Sequence, residues 1–326
     1  MLCVLFTINN RVRQPDVLSM DNVPTSAEIN SLFANSDPGA VWGKASNYLA
    51  RINPRYDTTL IKSVFDDVIS LFRGDYPGYS SIKTLYHDMP HTLDVFLCAV
   101  RLMHGVHLSG NRLADDEITL IMIAALMHDI GYSQTAGEQG GTGAQYTQTH
   151  VKRGIAFMKK YADARHLPSG YAAALEPMMS GTDPALKFSS IEFPDERTRQ
   201  LGQIVVTADL TGQMADRTYL EKLLFLYLEF KEAHFGNYQN MFDLLKQTNS
   251  FYSITRQKLD GDLAAMYRML SLHFRDVMGV ENNYYLEAIE KNLVYLSKVT
   301  EHDEAYLSML KRGGIAEKSQ NLDAAL

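Results

Sequence analysis

The chain has 326 residues, 46% of them hydrophobic, with 31 basic against 38 acidic side chains and a formal net charge of −7. That length and apolar content suit a globular protein with a substantial core, as one large domain or two modest ones. No Lys/Arg-rich block marks a nucleic-acid duplex as partner, no apolar run approaches the roughly 18 residues of a membrane span, and two cysteines, Cys3 and Cys98, give no disulfide framework, which fits a reducing cytoplasm.

Residues 1–8 are apolar, but no basic region precedes them and no small-residue cleavage site follows. They are therefore not expected to be a signal peptide; an early strand or helix, or a start-site artefact, are the readings left open. Residues 1–40 are weakly patterned and interrupted by Pro15, Pro24, Pro38 and Gly39, which predicts loops and short pieces. From Val41 the pattern turns helical. Ile61, Val64, Phe65, Val68 and Leu71 fall on one helical face, and Gly74, Pro77 and Gly78 break it.

A helix is predicted from about Pro90, where proline suits the first turn, through Leu93, Val95, Phe96, Val100 and Met103. Cys98 sits in this apolar run as a small buried hydrophobe. The next helix is predicted over about 116–127, with Asp115 or Asp116 as N-cap, ending at His128-Asp129-Ile130-Gly131, where the glycine suits a chain reversal. Residues 137–143 are glycine-rich and read as a loop. They follow no predicted strand and lack a Gly-Lys-Ser/Thr ending, so a phosphate-cradling role is set aside. Further helices are predicted over 149–161, 171–179, 198–210, 219–231, 241–246, 251–274 and 284–299, the last with a stripe of Leu286, Ile289, Leu293 and Leu296. The last dozen residues read as frayed. Strand-like alternation is scarce, so the fold class is all-α. The expected division is an N-terminal extension (1–80), a metal-binding core (81–230) and C-terminal helices packed on it (231–326), in one compact unit.

The chemistry gathers in three stretches: Tyr86-His87-Asp88-Met89-Pro90-His91-Thr92-Leu93-Asp94-Val95, Ala125-Leu126-Met127-His128-Asp129-Ile130-Gly131-Tyr132, and Val205-Val206-Thr207-Ala208-Asp209-Leu210. His91, His128, Asp129 and Asp209 form a mixed nitrogen and oxygen set suited to a hard or borderline divalent metal. Asp129 ends a wholly apolar segment, and burying its charge costs several kcal/mol unless a cation compensates. Asp94 lies one helical turn after His91. It either holds the second imidazole nitrogen or helps cap the helix. His104, His107, His166, His234, His273 and His302 lack motif context and read as structural or solvated. Phe225, Tyr227, Phe230, Phe251 and Tyr252 read as core or pocket wall.

These stretches resemble the HD-domain metal-dependent phosphohydrolase superfamily, and several are similar to the class I cyclic nucleotide phosphodiesterases. The first resembles their Tyr-His-Asn-x-x-His-x-x-Asp-Val signature, Met179-Ser180-Gly181-Thr182-Asp183 resembles their Ala-Thr-Asp-Met segment, and Thr207-Ala208-Asp209-Leu210 resembles the segment with their last metal aspartate. The resemblance covers roughly residues 80–230, with the motifs in the family's order. It implies an HD-domain helical bundle with extra N- and C-terminal helices. It implies a first metal on His91, His128, Asp129 and Asp209, with Asp129 bridging to a second metal held mostly by water. It further implies His87 as proton donor to the leaving oxygen and Thr182 near the bridging water.

The departures are specific. Ile130-Gly131-Tyr132 replaces a His-Pro-Gly continuation and is closer to general HD-domain proteins, including the HD-GYP branch, where lysine stands at the position of Tyr132. Gln148 replaces a glutamate, and Pro184 replaces a methionine. His150 reads as a second-metal ligand, a phosphate contact or a surface histidine. No purine-clamping glutamine can be placed.

The implied function is hydrolysis of a phosphoester on a small substrate, a nucleotide or cyclic nucleotide among the candidates. One or two divalent ions (Mg, Mn, Fe, Ni or Zn) would serve as cofactor. The alternative is a metal- or nucleotide-binding sensor with little turnover. An iron oxygenase on the same scaffold would need more ordered histidines after Asp129 than His150 alone. Oligomeric state is left open.

Overall fold

The computed structural model describes residues 24–33, 35–138 and 140–324, and over these the protein is all-α. The reading of residues 1–8, and most of the loop expectation for 1–40, lie outside the described residues. In chain order the helices are α1 (Ser26–Ser31), α2 (Pro38–Ile52), α3 (Thr59–Arg73), α4 (Met89–Leu108), α5 (Asp115–Met127), α6 (His150–Ala164), α7 (Tyr171–Ser180), α8 (Glu196–Ala215) and α9 (Tyr219–Glu232). They continue as α10 (Met241–Asp260), α11 (Met269–Met278), α12 (Tyr284–Thr300), α13 (Tyr306–Met309) and α14 (Ile315–Asp323). The strands among the described residues are β1 (Tyr79–Ser80) and β2 (Gln134–Thr135), paired antiparallel with Tyr79 opposite Thr135. The loop at 137–143 therefore does follow a strand, of two residues, which no alternation in the sequence marks.

Helix α4 organises the molecule. Its start is set by the Asp88 side chain, which accepts the His91 N–H at 2.9 Å, and by Pro90 in the first turn. Every residue from 91 to 106 is buried, because α2, α5, α8 and α11 all pack around it. A helix enclosed on all sides shows no amphipathic period, and α5, buried from Ile118 to Met127, behaves the same way. Helix α3, on the periphery, does show the period: Ile61, Val64, Phe65, Val68 and Leu71 are buried, and Gly74 ends it at φ 82°. The contact of α4 with α11 is close enough that a Cβ on Gly105 would lie 1.9 Å from the Met269 carbonyl oxygen.

Four local expectations are corrected. The N-cap of α5 is Ala114, whose N–H is taken by the Glu117 side chain at 2.7 Å, not Asp115 or Asp116. The predicted gap at 247–250 is helical, so 241–260 is one continuous helix, α10, whereas the predicted helix 251–274 is broken after Asp260, where Ala264 and Ala265 take φ 50° and 52°, and its last residues open α11. Of the last dozen residues, Ile315–Asp323 form α14, where Ala316 and Ser319 are buried and Lys231 Nζ lies 2.8 Å from Asp323. Gly131 does not adopt positive φ; it lies in a 3₁₀ turn, Ile130–Tyr132, and serves a close contact described below.

Cys98 is buried with its Sγ 3.3 Å from the Thr211 hydroxyl. Of the six histidines without motif context, His104 and His273 are buried with their Nδ1 atoms 3.0 Å apart. His107 is partly buried, and His166, His234 and His302 are exposed. No helix among the described residues is long and apolar enough to cross a membrane.

Candidate metal centre

Helix ends deliver the central residues. His128 caps the C-terminus of α5, and its Nδ1 donates to the Ala125 carbonyl at 2.9 Å, one of the acceptors left free in a last helical turn. That bond sets the tautomer, so the neutral ring offers its lone pair at Nε2. His91 comes from the first turn of α4, fixed there by the Asp88 cap. The two Nε2 atoms lie 3.2 Å apart, and Asp129 Oδ2 lies 3.1 Å from His91 Nε2 and 3.0 Å from His128 Nε2. Asp209 from α8 stands beside them, with Oδ1 3.7 Å from each Nε2.

This spacing matches a coordination shell. Bonds of about 2.0–2.2 Å place neighbouring donors about 3.0 Å apart in an octahedron and about 3.4 Å apart in a tetrahedron. Asp129 Oδ2 is buried and has no hydrogen-bond partner, a costly condition for a carboxylate oxygen. That cost is comparable with what burial of one or two of the neighbouring leucines contributes. A cation between the three donors removes it. Among the described residues, His91, His128 and Asp129 place one donor each within 4.8 Å of one another. This buried group can hold a metal ion.

The electrostatics agree with the geometry. Burial disfavours the charged form of His128, but Asp129 and then Asp209 outweigh it and push the imidazole up to about 9. Burial pulls the Asp129 carboxyl up, but His128 and His87 outweigh burial and hold it well below the usual carboxylate range. The metal-free centre therefore carries a proton on His128 where an ion would sit, which offsets the charge of Asp129 but leaves Oδ2 without a well-directed hydrogen bond. Metal binding at pH 7.5 is expected to release about one proton, and apparent affinity should rise about tenfold per pH unit until pH approaches 9, then level off. Titration calorimetry in buffers of different ionisation enthalpy measures the release; no proton released at pH 7.5 would contradict ligation through His128.

A second layer orients the first. Gln213 Nε2 donates to Asp209 Oδ1 at 3.2 Å, and Gln213 Oε1 accepts from the Tyr86 hydroxyl at 2.8 Å. Asp94 neither caps α4 nor bonds to His91: it accepts from Asn35 Nδ2 at 2.8 Å. Asp94 and His91 instead line a cavity of about 10 Å³ with Tyr86, Gln213, Asp216 and Lys222, about the space of one water. Burial, helped by Asp216, pushes Asp94 up to about 8 against the pull of Lys222 and Asn35.

His87 lies outside the donor group, its ring centre 5.8 Å from that of His91. Its Nδ1 donates to Glu229 Oε2 at 2.6 Å, and Glu229 Oε1 accepts the N–H groups of Tyr86 at 2.6 Å and His87 at 3.3 Å. Burial disfavours charge on His87, but Glu229 and then Asp129 outweigh it and raise the imidazole to about 9. Tyr132 is sandwiched between two imidazoles, stacked on His87 at 4.7 Å and on His150 at 4.5 Å. His150 is buried at the start of α6, donates Nδ1–H to the Thr147 carbonyl at 2.6 Å, and turns Nε2 to within 3.4 Å of Asp129 Oδ1. Of its three readings, a surface histidine does not fit this placement. Thr182 sits at the C-terminal end of α7 and donates its hydroxyl to the Met179 carbonyl at 2.8 Å, which satisfies that helix end rather than the donor group.

Glu229 and Tyr132 escaped the sequence reading as site residues. Glu229 carried one signal, a carboxylate set among Phe225, Leu228 and Phe230 in the apolar run from Leu223 to Phe230. Tyr132 was marked only as standing where the HD-GYP branch has lysine, and an aromatic after Ile-Gly reads equally well as core.

A family model described as Npun_R2479-like matches the chain over residues 61–172 and 137–262. These overlapping stretches span more than half of its 326 residues and contain His91, His128, Asp129 and Asp209. No curated protein matches the chain. By the extent of the family match, the chain belongs to the Npun_R2479-like family.

Proposed function

We propose that this chain is a metal-dependent phosphohydrolase on an HD-type helical core, acting on a small phosphorylated substrate of the nucleotide class. The observation that carries the reading is the orphaned Asp129 Oδ2, buried 3.0–3.1 Å from two imidazole Nε2 atoms. The resemblance of the flanking motifs to that superfamily supports it. His91, His128 and Asp129, with Asp209 beside them, would hold a divalent ion. His150, 3.4 Å from the other Asp129 oxygen, would extend the set toward a second. Bound there, such an ion supplies Lewis acidity, which polarises a phosphoryl oxygen and brings the pKa of water toward neutrality.

The chain's own residues provide the rest. His87, protonated at neutral pH, presents Nε2–H as the acid for the leaving oxygen, a role worth about 10²–10⁴ in rate. Glu229 takes Nδ1–H and fixes the ring's direction, and the Tyr132 stack fixes its plane. The apolar lengths of α4 and α5 beneath the centre exclude water and strengthen these interactions.

Activity that needs protonated His87 persists below its pKa and falls as pH rises through it. Glu229→Gln removes the charge that raises this pKa. It should shift the alkaline limb of the pH–rate profile toward neutrality and lower turnover at pH 8 by about 10- to 100-fold. An unshifted limb would remove His87 from the acid's role.

The direct test is hydrolysis by metal-defined protein, with Mg, Mn, Fe, Ni and Zn each supplied against bis-p-nitrophenyl phosphate, cyclic mononucleotides, cyclic dinucleotides and nucleotides. Turnover lost in His128→Ala supports the proposal, and the preferred ester names the substrate. Stoichiometric metal binding with no turnover on any ester would favour a metal- or nucleotide-binding sensor instead.

A further inference from the structure

Lys258 is a basic residue that the centre described above does not use. It lies near the C-terminal end of α10 and reaches back across the fold toward the junction of α7 and α8. Its Nζ makes one long contact, 3.5 Å to the Gly181 carbonyl, and is only partly exposed. Among the described residues it has no ion-pair partner. The other partly buried lysine beside the centre, Lys222, pairs with Asp216 at 2.6 Å, and nearby Arg256 pairs with Asp260 at 2.8 Å.

An ammonium has three donors. One long bond to a carbonyl leaves Lys258 under-satisfied where burial already disfavours its charge, and its pKa is pushed down accordingly. The carboxylate that opposes this most is Asp209, ahead of Asp262 and Asp183. Asp209 belongs to the metal centre, so the ammonium is within electrostatic reach of that centre. Gly181 locks the arrangement: a Cβ there would come within 2.7 Å of Val206 Cγ2 on α8, so the carbonyl that Lys258 touches is packed against the helix carrying Asp209.

We propose that Lys258 is a specificity-determining residue that binds a second anionic group of the substrate, such as the neighbouring phosphate of a nucleoside diphosphate, while the scissile phosphoryl group lies at the His91–His128–Asp129 cluster. The inference rests on the metal-centre reading. It narrows the substrate to phosphoesters with an anionic group beyond the one cleaved. A purely structural alternative exists, because a cation near the end of α7 also complements the helix dipole, and the experiment separates the two.

Pyrophosphate and inorganic phosphate are titrated into Mn-loaded full-length wild type, Lys258→Met and Lys258→Arg, with metal content measured for each. A charge-assisted contact of this kind changes affinity by about 10- to 100-fold. Lys258→Met should weaken pyrophosphate by that factor while changing phosphate by less than about twofold, and Lys258→Arg should recover most of the loss. Thermal melting of the three proteins reports the helix-end role separately. Equal pyrophosphate affinity in wild type and Lys258→Met, equal weakening of both anions, or no pyrophosphate binding by the wild type would each overturn the inference. Selective weakening of pyrophosphate in a wild-type background that hydrolyses no ester would keep Lys258 as an anion contact and overturn the hydrolase reading. Hydrolysis with unchanged kinetics in Lys258→Met, for bis-p-nitrophenyl phosphate and a nucleoside diphosphate alike, would do the reverse.

Discussion

Asp129→Asn is expected to remove stoichiometric metal and to lower any metal-dependent turnover by at least about 10³-fold, while leaving the metal-free protein about as stable as the wild type. The two halves of this expectation share one cause. In the wild type, Asp129 Oδ2 is buried without a hydrogen bond, 3.0–3.1 Å from two imidazole Nε2 atoms. Its charge is what raises His128 to about 9. The amide removes the charge, and His128 answers by giving up its proton, so no isolated buried ion is left behind. Removing one partner of a buried pair is severe only when the other must stay charged.

Metal-induced stabilisation should therefore vanish. At a free metal concentration about 100 times Kd, the wild type should gain about 2.7 kcal/mol and the variant nothing. Elemental analysis and melting curves with and without metal measure both quantities. An ordinary structural ion pair predicts the opposite pattern, with the metal-free variant destabilised and metal irrelevant. Asp129→Asn that still binds one equivalent of metal would sink the proposed centre.

The features legible in the sequence were those that local chemistry determines. The Asp88 cap and Pro90 mark the start of α4 because a helix N-terminus needs an acceptor and tolerates a missing N–H. The stripe of Ile61, Val64, Phe65, Val68 and Leu71 reveals α3 because that helix has one wet face. His128-Asp129 stood out because a charge at the end of an apolar helix demands compensation. What stayed hidden depends on partners distant in the chain. Glu229 meets His87 across 142 positions, and only the fold brings them together. The polar stretch at 247–250 reads as a break in α10, yet the helix continues, since Thr248 is buried with its hydroxyl on the Leu244 carbonyl and its neighbours face solvent. The true break begins after Asp260 at Gly261 and runs through Ala264 and Ala265, where alanine carries no signal for a left-handed conformation. The last dozen residues read as frayed because terminal residues are poorly ordered unless tied down, and α14 is tied down by its packing on α9.

Gly131→Ala should cost about 3 kcal/mol of stability, the upper end of overpacking penalties, and should depress turnover by about 10²-fold or more while sparing metal binding at His91, His128 and Asp129. The added Cβ would lie 1.8 Å from the His150 carbonyl oxygen and 2.7 Å from the Gly154 nitrogen. Both obstacles are backbone, so no rotamer change relieves them. The first turn of α6 and the 3₁₀ turn at Ile130–Tyr132 must separate. Arg153 resists that movement, since it donates to the carbonyls of Gly131 at 2.9 Å and Ser133 at 2.8 Å while paired with Glu138 at 2.7 Å. Separation carries His150 away from Asp129 and opens the His87–Tyr132–His150 stack, whereas the three-donor cluster comes from α4 and the end of α5 and keeps its place. Gly154→Ala is the matched control. Its Cβ would meet only ordinary contacts of 3.4–3.5 Å, and alanine gains about 0.5–1 kcal/mol over glycine inside a helix, so that variant should be neutral or slightly more stable. Denaturant unfolding, metal content and turnover of the two variants distinguish a crowded interface from a tolerant one. Gly131→Ala with wild-type stability and rate would mean that the junction of α6 with the turn is not what places His150.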